Sequence, residues 1–257
     1  MAKITRIVAR EILDSRAIPT VEVSLLTDTG AYSVASVPSG VSMSQNEDVE
    51  LRDGDLDRYH GKGVLKAIDH IHKTLAPALV GRDVTAQEKL DTIMLELDGT
   101  PNQSKLGANS ILAVSIAAIK AASSTYNLPL FHYLQKRYRP GSNLRIPTPI
   151  FNLINGGAHG AGNLDFQEFH VIPSSRMPYK EALRAGAEIW MSLRDELIHR
   201  NAIHSVGDEG GFAPDLFTNA DALELMSVVI KNSPYRLGLD VFLGLDVAAN
   251  GFHTCGV

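Results

Sequence analysis

A proline- and glycine-rich segment, Arg139-Pro140-Gly141-Ser142-Asn143, separates two stretches of the chain that differ in sequence rhythm. Before it, a strand-rich start is followed by helical patterns. After it, apolar strand-like runs are interspersed with amphipathic helical patterns. A change of rhythm at a Pro/Gly-rich segment is typical of a domain boundary. We therefore predict one domain at residues 1–140 and a second at residues 141–257.

The first domain is predicted to begin with a β-meander and continue with helices. Residues Thr20–Leu26 alternate between apolar and polar side chains, and Asp28-Thr29-Gly30 supplies turn chemistry before the next strand at 31–37. Apolar or small residues at helical spacing predict three helices. These are Gly63–Leu79, Ala86–Leu97 and Asn109–Tyr126.

The second domain is predicted to alternate strands and helices. The predicted strands are Ile146–Leu153, Phe166–Ile172 and Val241–Leu245, and the predicted helices are Tyr179–Asn201 and Asp221–Lys231. Strands that are apolar on both faces favour a sheet covered on both sides, as in parallel α/β architecture. In such folds the functional groups lie at the C-terminal ends of the strands.

Composition restricts the class of protein. The chain has 257 residues, 44% of them hydrophobic, and a formal net charge of -5 with scattered Lys and Arg, so a nucleic-acid partner is not expected. No apolar run approaches the ~20 residues that span a bilayer, and the N-terminus lacks the apolar core of a secretory signal. The single cysteine, Cys255, cannot form an internal disulfide, which fits a reducing compartment. We expect a cytoplasmic protein without a membrane span.

Candidate site residues lie in glycine-rich and strand-end segments of the second domain. Asp208 and Glu209 stand between glycines in Val206–Pro214, and in an extended segment only one of them would enter a site. Asp246 ends an apolar run, where it is either a ligand or a turn or cap residue. The acidic pair is equally compatible with a plain turn. Asp240, at the opposite end of the run, is read as structural.

A second glycine-rich segment, Asn155–Gly162, follows an apolar strand. Its exposed backbone N–H groups could hold an anion, and His159 could contact a phosphate or carboxylate. His159 could equally be a loop histidine without a role. Of Gln167 and Glu168, in the next strand, only one can face a given side.

Long motifs on both sides of the boundary resemble the enolase (phosphopyruvate hydratase) family. The first domain carries Ile12–Arg16, Pro19–Val23, Val37–Gly40, Leu51–Asp55, Gly61–Leu65 and Ser104–Asn109. The second carries Asn155–Gly157, Gln167–Phe169, Val206–Gly211 and Gly244–Asp246. The resemblance extends to about Asn250. It implies α/β and α+β structure: an N-terminal three-stranded meander with helices, followed by an incomplete enolase-type (β/α)8 barrel.

The resemblance also implies an activity: the Mg²⁺-dependent, reversible dehydration of 2-phospho-D-glycerate to phosphoenolpyruvate in glycolysis. Glu209 matches the family's general acid, and Asp246 matches its first Mg²⁺ carboxylate ligand. His159, Gln167 and Glu168 match substrate-binding positions. Ser42 matches the loop serine that reaches a second Mg²⁺. An acidic cluster needs such a cation before it attracts an anionic substrate. A homodimer is implied for the full-length family.

The sequence departs from the family pattern at two places in the first domain. Met43 and Ser44 replace a small polar residue and a glycine of the lid segment, which would restrict its closure. Arg16-Ala17-Ile18-Pro19 replaces an Arg-Gly-Asn-Pro segment that lies near the dimer contact of enolases.

A further departure is the length. The family's lysine base and remaining metal carboxylates have no match before Val257, so the chain is expected to be C-terminally truncated. Two other hypotheses stay open: a catalytically inactive enolase-like protein retained for binding a partner, and another dehydrating or racemising member of the superfamily. The lid serine and the Gly-Asp-Glu-Gly-Gly motif weigh against the last.

Overall fold

The computed structural model describes residues 1–40, 47–160, 163–207 and 209–252. The chain forms two compact units, Met1–Leu144 and Arg145–Val257. The boundary between them falls just after the Pro/Gly-rich segment at 139–143.

The first unit is built on an antiparallel sheet in the order β1-β2-β3, as the predicted meander requires. Its strands are β1 (Ile4–Leu13), β2 (Pro19–Thr27) and β3 (Tyr32–Ser36). Alternate residues of β2, Val21, Val23 and Leu25, are completely buried, because successive side chains of a strand point to opposite faces. The alternation in the sequence therefore identifies the core face of this sheet.

Helices cover the buried face of the first sheet. They are α1 (Leu65–His70), a π-helical turn (Ile71–Leu75), α2 (Ala76–Leu79), α3 (Gln87–Asp98), α4 (Ala108–Thr125) and α5 (Leu130–Tyr138). Helix α4 packs on β2 and β3, where the Ser33 hydroxyl donates to the Ala117 carbonyl at 2.7 Å. The small residues of α4 allow this close approach. Helix α5 is not among the helices predicted from the sequence.

The turn between β1 and β2 holds the Arg16–Pro19 departure from the family pattern. Ala17 adopts a left-handed backbone conformation with φ +59°, which is unfavourable for a residue with a Cβ. The Asp14 carboxylate stabilises the turn by accepting hydrogen bonds from the backbone N–H groups of Arg16 and Ile18 at 2.8 and 2.9 Å. The two strands pair regularly from Arg6 and Leu26 to Leu13 and Pro19, so the turn is strained while the strand pairing beside it is intact.

The second unit contains a sheet of β4 (Phe151–Asn155), β5 (Glu168–Pro173) and β6 (Val241–Asp246), in that order. Both strand pairs are antiparallel. The parallel arrangement expected from the apolar strands is therefore wrong for this part of the chain. An apolar strand has the same composition in either direction, so its sequence does not determine the direction of pairing. Because β5 is reversed, its N-terminal end meets the C-terminal ends of β4 and β6.

Two helices, α6 (Tyr179–His199) and α7 (Asn219–Lys231), complete the second unit. Helix α6 lies against β4 and β5, and its side chains Ile189, Leu193 and Leu197 share a core with strand residues such as Phe169 and Val171. A Cβ on Gly186 would lie 2.3 Å from the ring of Phe151, so this glycine lets the helix approach the sheet. A capping box formed by Thr218 and Asp221 begins α7.

The predicted fold class is confirmed: a three-stranded meander with helices is followed by a sheet-and-helix unit whose three described strands do not close into a barrel. Asp240 accepts hydrogen bonds from Arg236 at the end of the sheet where β6 begins. These bonds agree with the structural role predicted for Asp240. Within the described residues, no single helix is long and apolar enough to cross a membrane. Helices α4 and α5 reach that length and apolar composition only together, as a pair bent by 94°.

Candidate active site

One face of the second sheet is polar at the edge where β4 and β6 end. Glu168 pairs with Asn155 on one side and with Asp246 on the other. Side chains of directly paired residues lie on the same face of a sheet. His170, two residues further along β5, lies on that face as well, opposite Gly244. A Cβ on Gly244 would lie 2.7 Å from the Ile172 side chain, so this glycine makes room for Ile172.

A β-bulge brings two asparagines of β4 to this face. The register of the β4–β5 pair shifts between Asn152 and Ile154, so Asn152 pairs with His170 and Asn155 with Glu168. In a regular strand, residues three apart would lie on opposite faces. The amide oxygen and nitrogen of Asn155 and the amide oxygen of Asn152 are buried without a hydrogen-bond partner among the described residues. Such groups point toward a polar ligand.

The loop after β4 presents His159 to the polar face. A Cβ on Gly156 would lie 2.3 Å from the Phe166 carbonyl oxygen, and one on Gly160 would lie 2.5 Å from the Asn155 carbonyl oxygen. These glycines permit the loop to fold back tightly on β4. The His159 side chain is 3% exposed as a result.

Glu209 lies in a turn that closes against β4. The Gly207 N–H donates to the Gly211 carbonyl at 2.8 Å, and the Gly210 N–H donates to the Gly207 carbonyl at 3.1 Å. The segment is therefore turned at Glu209, so the alternation argument for an extended strand does not apply; Asp208 lies outside the described residues. After the turn, Phe212 bridges to β4 at Ile154.

Trp190 of α6 braces this turn. Its indole stacks on Phe212 with ring centroids 4.6 Å apart, and its Nε1–H donates to the Gly210 carbonyl at 3.0 Å. It is the only tryptophan in the chain. Its fluorescence therefore reports on the turn that carries Glu209.

The side chains of His159, Glu168 and Glu209 converge. One ligand atom from each lies within 4.8 Å of the other two, which is a spacing that can hold a metal ion. The Nδ1 atom of His159 lies 3.0 Å from Oε1 of Glu209. The Asn152 amide makes a long contact of 3.5 Å with the other Glu209 oxygen. The loop after β4, the start of β5 and the turn at Glu209 thus form one polar cluster.

The carboxyl groups of Glu168 and Glu209 interact. Burial acts to raise the pKa of Glu168, but hydrogen bonds with Glu209 and His170 outweigh burial and lower its pKa below the ordinary value. The Nε2 atom of His170 lies 2.6 Å from Oε2 of Glu168. Hydrogen bonds from its neighbours thus favour the carboxylate form of Glu168.

Two further predicted site residues, Asp246 and Gln167, lie at the same edge of the sheet. Asp246 is exposed at the end of β6, its Oδ1 accepts from the Ala248 N–H at 3.0 Å, and it is not among the converging ligand atoms. Gln167 contributes backbone bonds to Gly156 and Asp246, and its side chain makes no hydrogen bond among the described residues. Ser42, Met43 and Ser44 lie outside the described residues.

Sequence reasoning missed Asn152, Asn155 and His170. For His170 a signal existed, because in a strand it shares a face with Glu168 two residues earlier. For the asparagines none existed, since the bulge that aligns them is not visible in the sequence.

Comparison with known families agrees with the two-part architecture. The family model of the enolase N-terminal domain matches residues 4–134, and that of the enolase C-terminal TIM barrel domain matches residues 143–256. Together the two matches cover nearly the whole chain. The polar cluster lies within the part that matches the barrel domain.

Proposed function

Because the chain belongs to the enolase family, we propose that the polar cluster is the proton-donating part of a Mg²⁺-dependent lyase site. The substrates of this lyase are 2-phospho-D-glycerate and phosphoenolpyruvate. The observation that carries this proposal is the convergence of His159, Glu168 and Glu209 at the sheet edge where Asp246 ends β6. Removal of a hydroxyl group as water requires a proton donor beside the leaving oxygen. A carboxyl group next to a carboxylate in a partly buried site is suited to that task.

Each residue then has a role that follows from its position. Glu209 donates its proton to the leaving hydroxyl, and Glu168 holds that proton on Glu209 until the transfer. His159, whose ring makes no hydrogen bond among the described residues, donates to an anionic oxygen of the substrate. The amides of Asn152 and Asn155 line the same face and hold the substrate in place by hydrogen bonds.

The residues present fit Mg²⁺, which takes oxygen ligands and retains waters. Asp246 would supply a carboxylate oxygen, since only its Oδ1 makes a hydrogen bond among the described residues. Ser42 would supply a hydroxyl by the family resemblance. When bound, Mg²⁺ stabilises the negative charge that develops on the substrate carboxylate.

The base of the reaction has no candidate in the second unit. Its two lysines, Lys180 and Lys231, lie at the first turn of α6 and at the end of α7. Neither belongs to a segment that forms the cluster. We therefore expect the 257-residue polypeptide to bind the substrate without converting it. A second candidate is an enolase-like protein that has no lyase role and binds a partner.

Ligand selectivity tests the proposal. The purified 257-residue polypeptide is titrated with 2-phosphoglycerate and with unphosphorylated glycerate in Mg²⁺, with Trp190 fluorescence as the readout, while absorbance reports phosphoenolpyruvate. We expect 2-phosphoglycerate to bind at least about ten-fold more tightly, a difference of about 1.4 kcal/mol. Equal affinities, or no binding by the folded protein, would favour the partner-binding candidate. Formation of phosphoenolpyruvate would support the lyase and refute the expected lack of turnover.

Two further proposals rest on the family resemblance. We propose that the protein forms a homodimer and acts in the cytoplasm. Light scattering coupled to size exclusion tests the first, and a monomeric mass would contradict it. Fluorescence microscopy of the tagged protein in its native cell tests the second, and a signal confined to another compartment would contradict it.

A further inference from the structure

The cluster of His159, Glu168 and Glu209 contains an imidazole as well as carboxylates. Mg²⁺ and Ca²⁺ prefer oxygen ligands, whereas a nitrogen donor favours Zn²⁺ and other transition metals. The ligand chemistry of this cluster thus differs from that of a carboxylate-only Mg²⁺ site.

His159 carries the independent observation that points to a ligand. Its side chain is 3% exposed, and neither ring nitrogen makes a hydrogen bond with a described residue. The contact of 3.0 Å with Glu209 is a close approach without hydrogen-bond geometry. A buried imidazole without hydrogen bonds is costly unless a ligand takes up its lone pair.

We propose that His159, Glu168 and Glu209 bind Zn²⁺ and that His170 orients Glu168. In a tetrahedral zinc site with ligand bonds of 2.0–2.2 Å, neighbouring ligand atoms lie about 3.4 Å apart. The observed spacings, 3.0 Å for one pair and at most 4.8 Å for all, bracket this value. Three protein ligands leave the fourth position to water, as in zinc sites that remain open.

His170 holds the carboxylate ligand in place. Its Nε2 lies 2.6 Å from Oε2 of Glu168, which leaves Oε1 for the metal. Such outer contacts to ligand groups typically change metal affinity by about 10- to 100-fold.

Zinc bound here coordinates the carboxyl groups of Glu209 and Glu168, so it competes with any other ligand that binds these groups. The zinc site itself goes beyond the proposed lyase function, since it depends only on the donor atoms of this chain. Its test contains no phosphoglycerate, and its outcome is independent of substrate binding.

The test is a calorimetric titration of the 257-residue protein with Zn²⁺, followed by X-ray absorption spectroscopy of the loaded protein. We expect one tight site containing one imidazole. His159→Gln and Glu168→Gln should weaken binding by more than about ten-fold, and His170→Gln by about ten-fold. The matched control His199→Gln, at the exposed end of α6, should change it less than about two-fold.

Three outcomes would overturn the proposal. These are unchanged Zn²⁺ affinity in His159→Gln, a first shell of oxygen atoms only, and no stoichiometric binding by the folded wild-type protein. Circular dichroism verifies folding of each variant. Because the His159 ring makes no hydrogen bonds with described residues, its replacement is not expected to unfold the chain.

Discussion

Glu168 and Asp246 are directly paired in the antiparallel β5–β6 ladder, one at the start of its strand and the other at the end. This pairing places both carboxylates on the same face and at the same edge of the sheet. Glu209 converges with Glu168 at this edge, so three acidic side chains concentrate negative charge there. Such a concentration of carboxylates favours the binding of a cation.

Asp246→Asn is expected to weaken Mg²⁺ binding by about ten-fold or more, because the amide keeps the hydrogen bond from Ala248 but loses the charge that attracts the ion. Mn²⁺ binding followed by electron paramagnetic resonance measures this with a chemically similar ion. Asp240→Asn, just before the other end of β6, is the matched control. It should weaken the Arg236 pair and leave ion binding intact. Equal loss in both variants would contradict the assignment of Asp246.

Gly156→Ala is expected to destabilise the second unit by about 3 kcal/mol. The added Cβ would lie 2.3 Å from a backbone oxygen of Phe166 and 2.7 Å from the Leu164 side chain, so the loop before His159 must move. Urea unfolding followed by Trp190 fluorescence measures the loss. Gly210→Ala is the control, since its Cβ meets nothing within 4 Å and only its positive φ of +85° costs about 1 kcal/mol. Similar losses for both would refute the close-approach argument.

Ala17→Gly is expected to stabilise the first unit by about 0.5–1 kcal/mol. Glycine removes the strain of φ +59°, which is worth about 1–2 kcal/mol. Glycine also raises the conformational entropy of the unfolded chain, and this offsets part of the stabilisation. Thermal unfolding by circular dichroism tests the effect. Ala78→Gly in α2 should instead lower stability, because that alanine is helical. A lower melting temperature for Ala17→Gly would show that the turn is not strained.

The Asp14 carboxylate is expected to make stability depend on pH in the acid range. Burial raises its pKa, but hydrogen bonds from Ile18, Arg16 and Ser39 outweigh burial and lower the pKa from 3.8 to about 2. A pKa lowered by folding stabilises the protein above pH 3.8, and this contribution is lost as the pH falls through about 2. Asp14→Asn should therefore cost about 1–2 kcal/mol at pH 7, after a discount for partial exposure.

Urea unfolding of the wild type and of Asp14→Asn at neutral pH and near pH 3 provides the measurement. The difference between the two proteins should shrink by about half near pH 3. Asp69→Asn is the control, since Asp69 forms an exposed pair with Lys73 that solvent screens. A difference that stays constant with pH would show that the Asp14 network does not depend on its charge.

The sequence predicts elements well where local periodicity decides the structure. The alternation of Val21, Val23 and Leu25 predicts the meander because one face of that sheet is buried. Strand direction in the second unit depends on tertiary pairing, which composition does not encode, so β5 was expected to be parallel. The turn at Glu209 likewise depends on contacts with β4 and Trp190, which lie far away in the sequence.

The site residues were partly predictable for related reasons. Glycines beside His159 and Glu209 indicated close backbone approach, and the structure shows what they approach. Glu168, His159 and Glu209 do come together, whereas the roles assigned to them and to Gln167, Asp246 and Ser42 stay predictions. The two asparagines required knowledge of a bulge, and His170 required the correct register of β5.

The central claim is that the carboxylates at this sheet edge accept an anionic substrate only through Mg²⁺. The most direct test is a titration of 2-phosphoglycerate followed by Trp190 fluorescence, with Mg²⁺ present and with the ion removed by chelation. We predict a saturable change that requires Mg²⁺ and that needs a Mg²⁺ concentration about ten-fold higher or more in Asp246→Asn. Saturable binding of equal affinity without the ion, or binding that is unchanged in Asp246→Asn, would contradict the account.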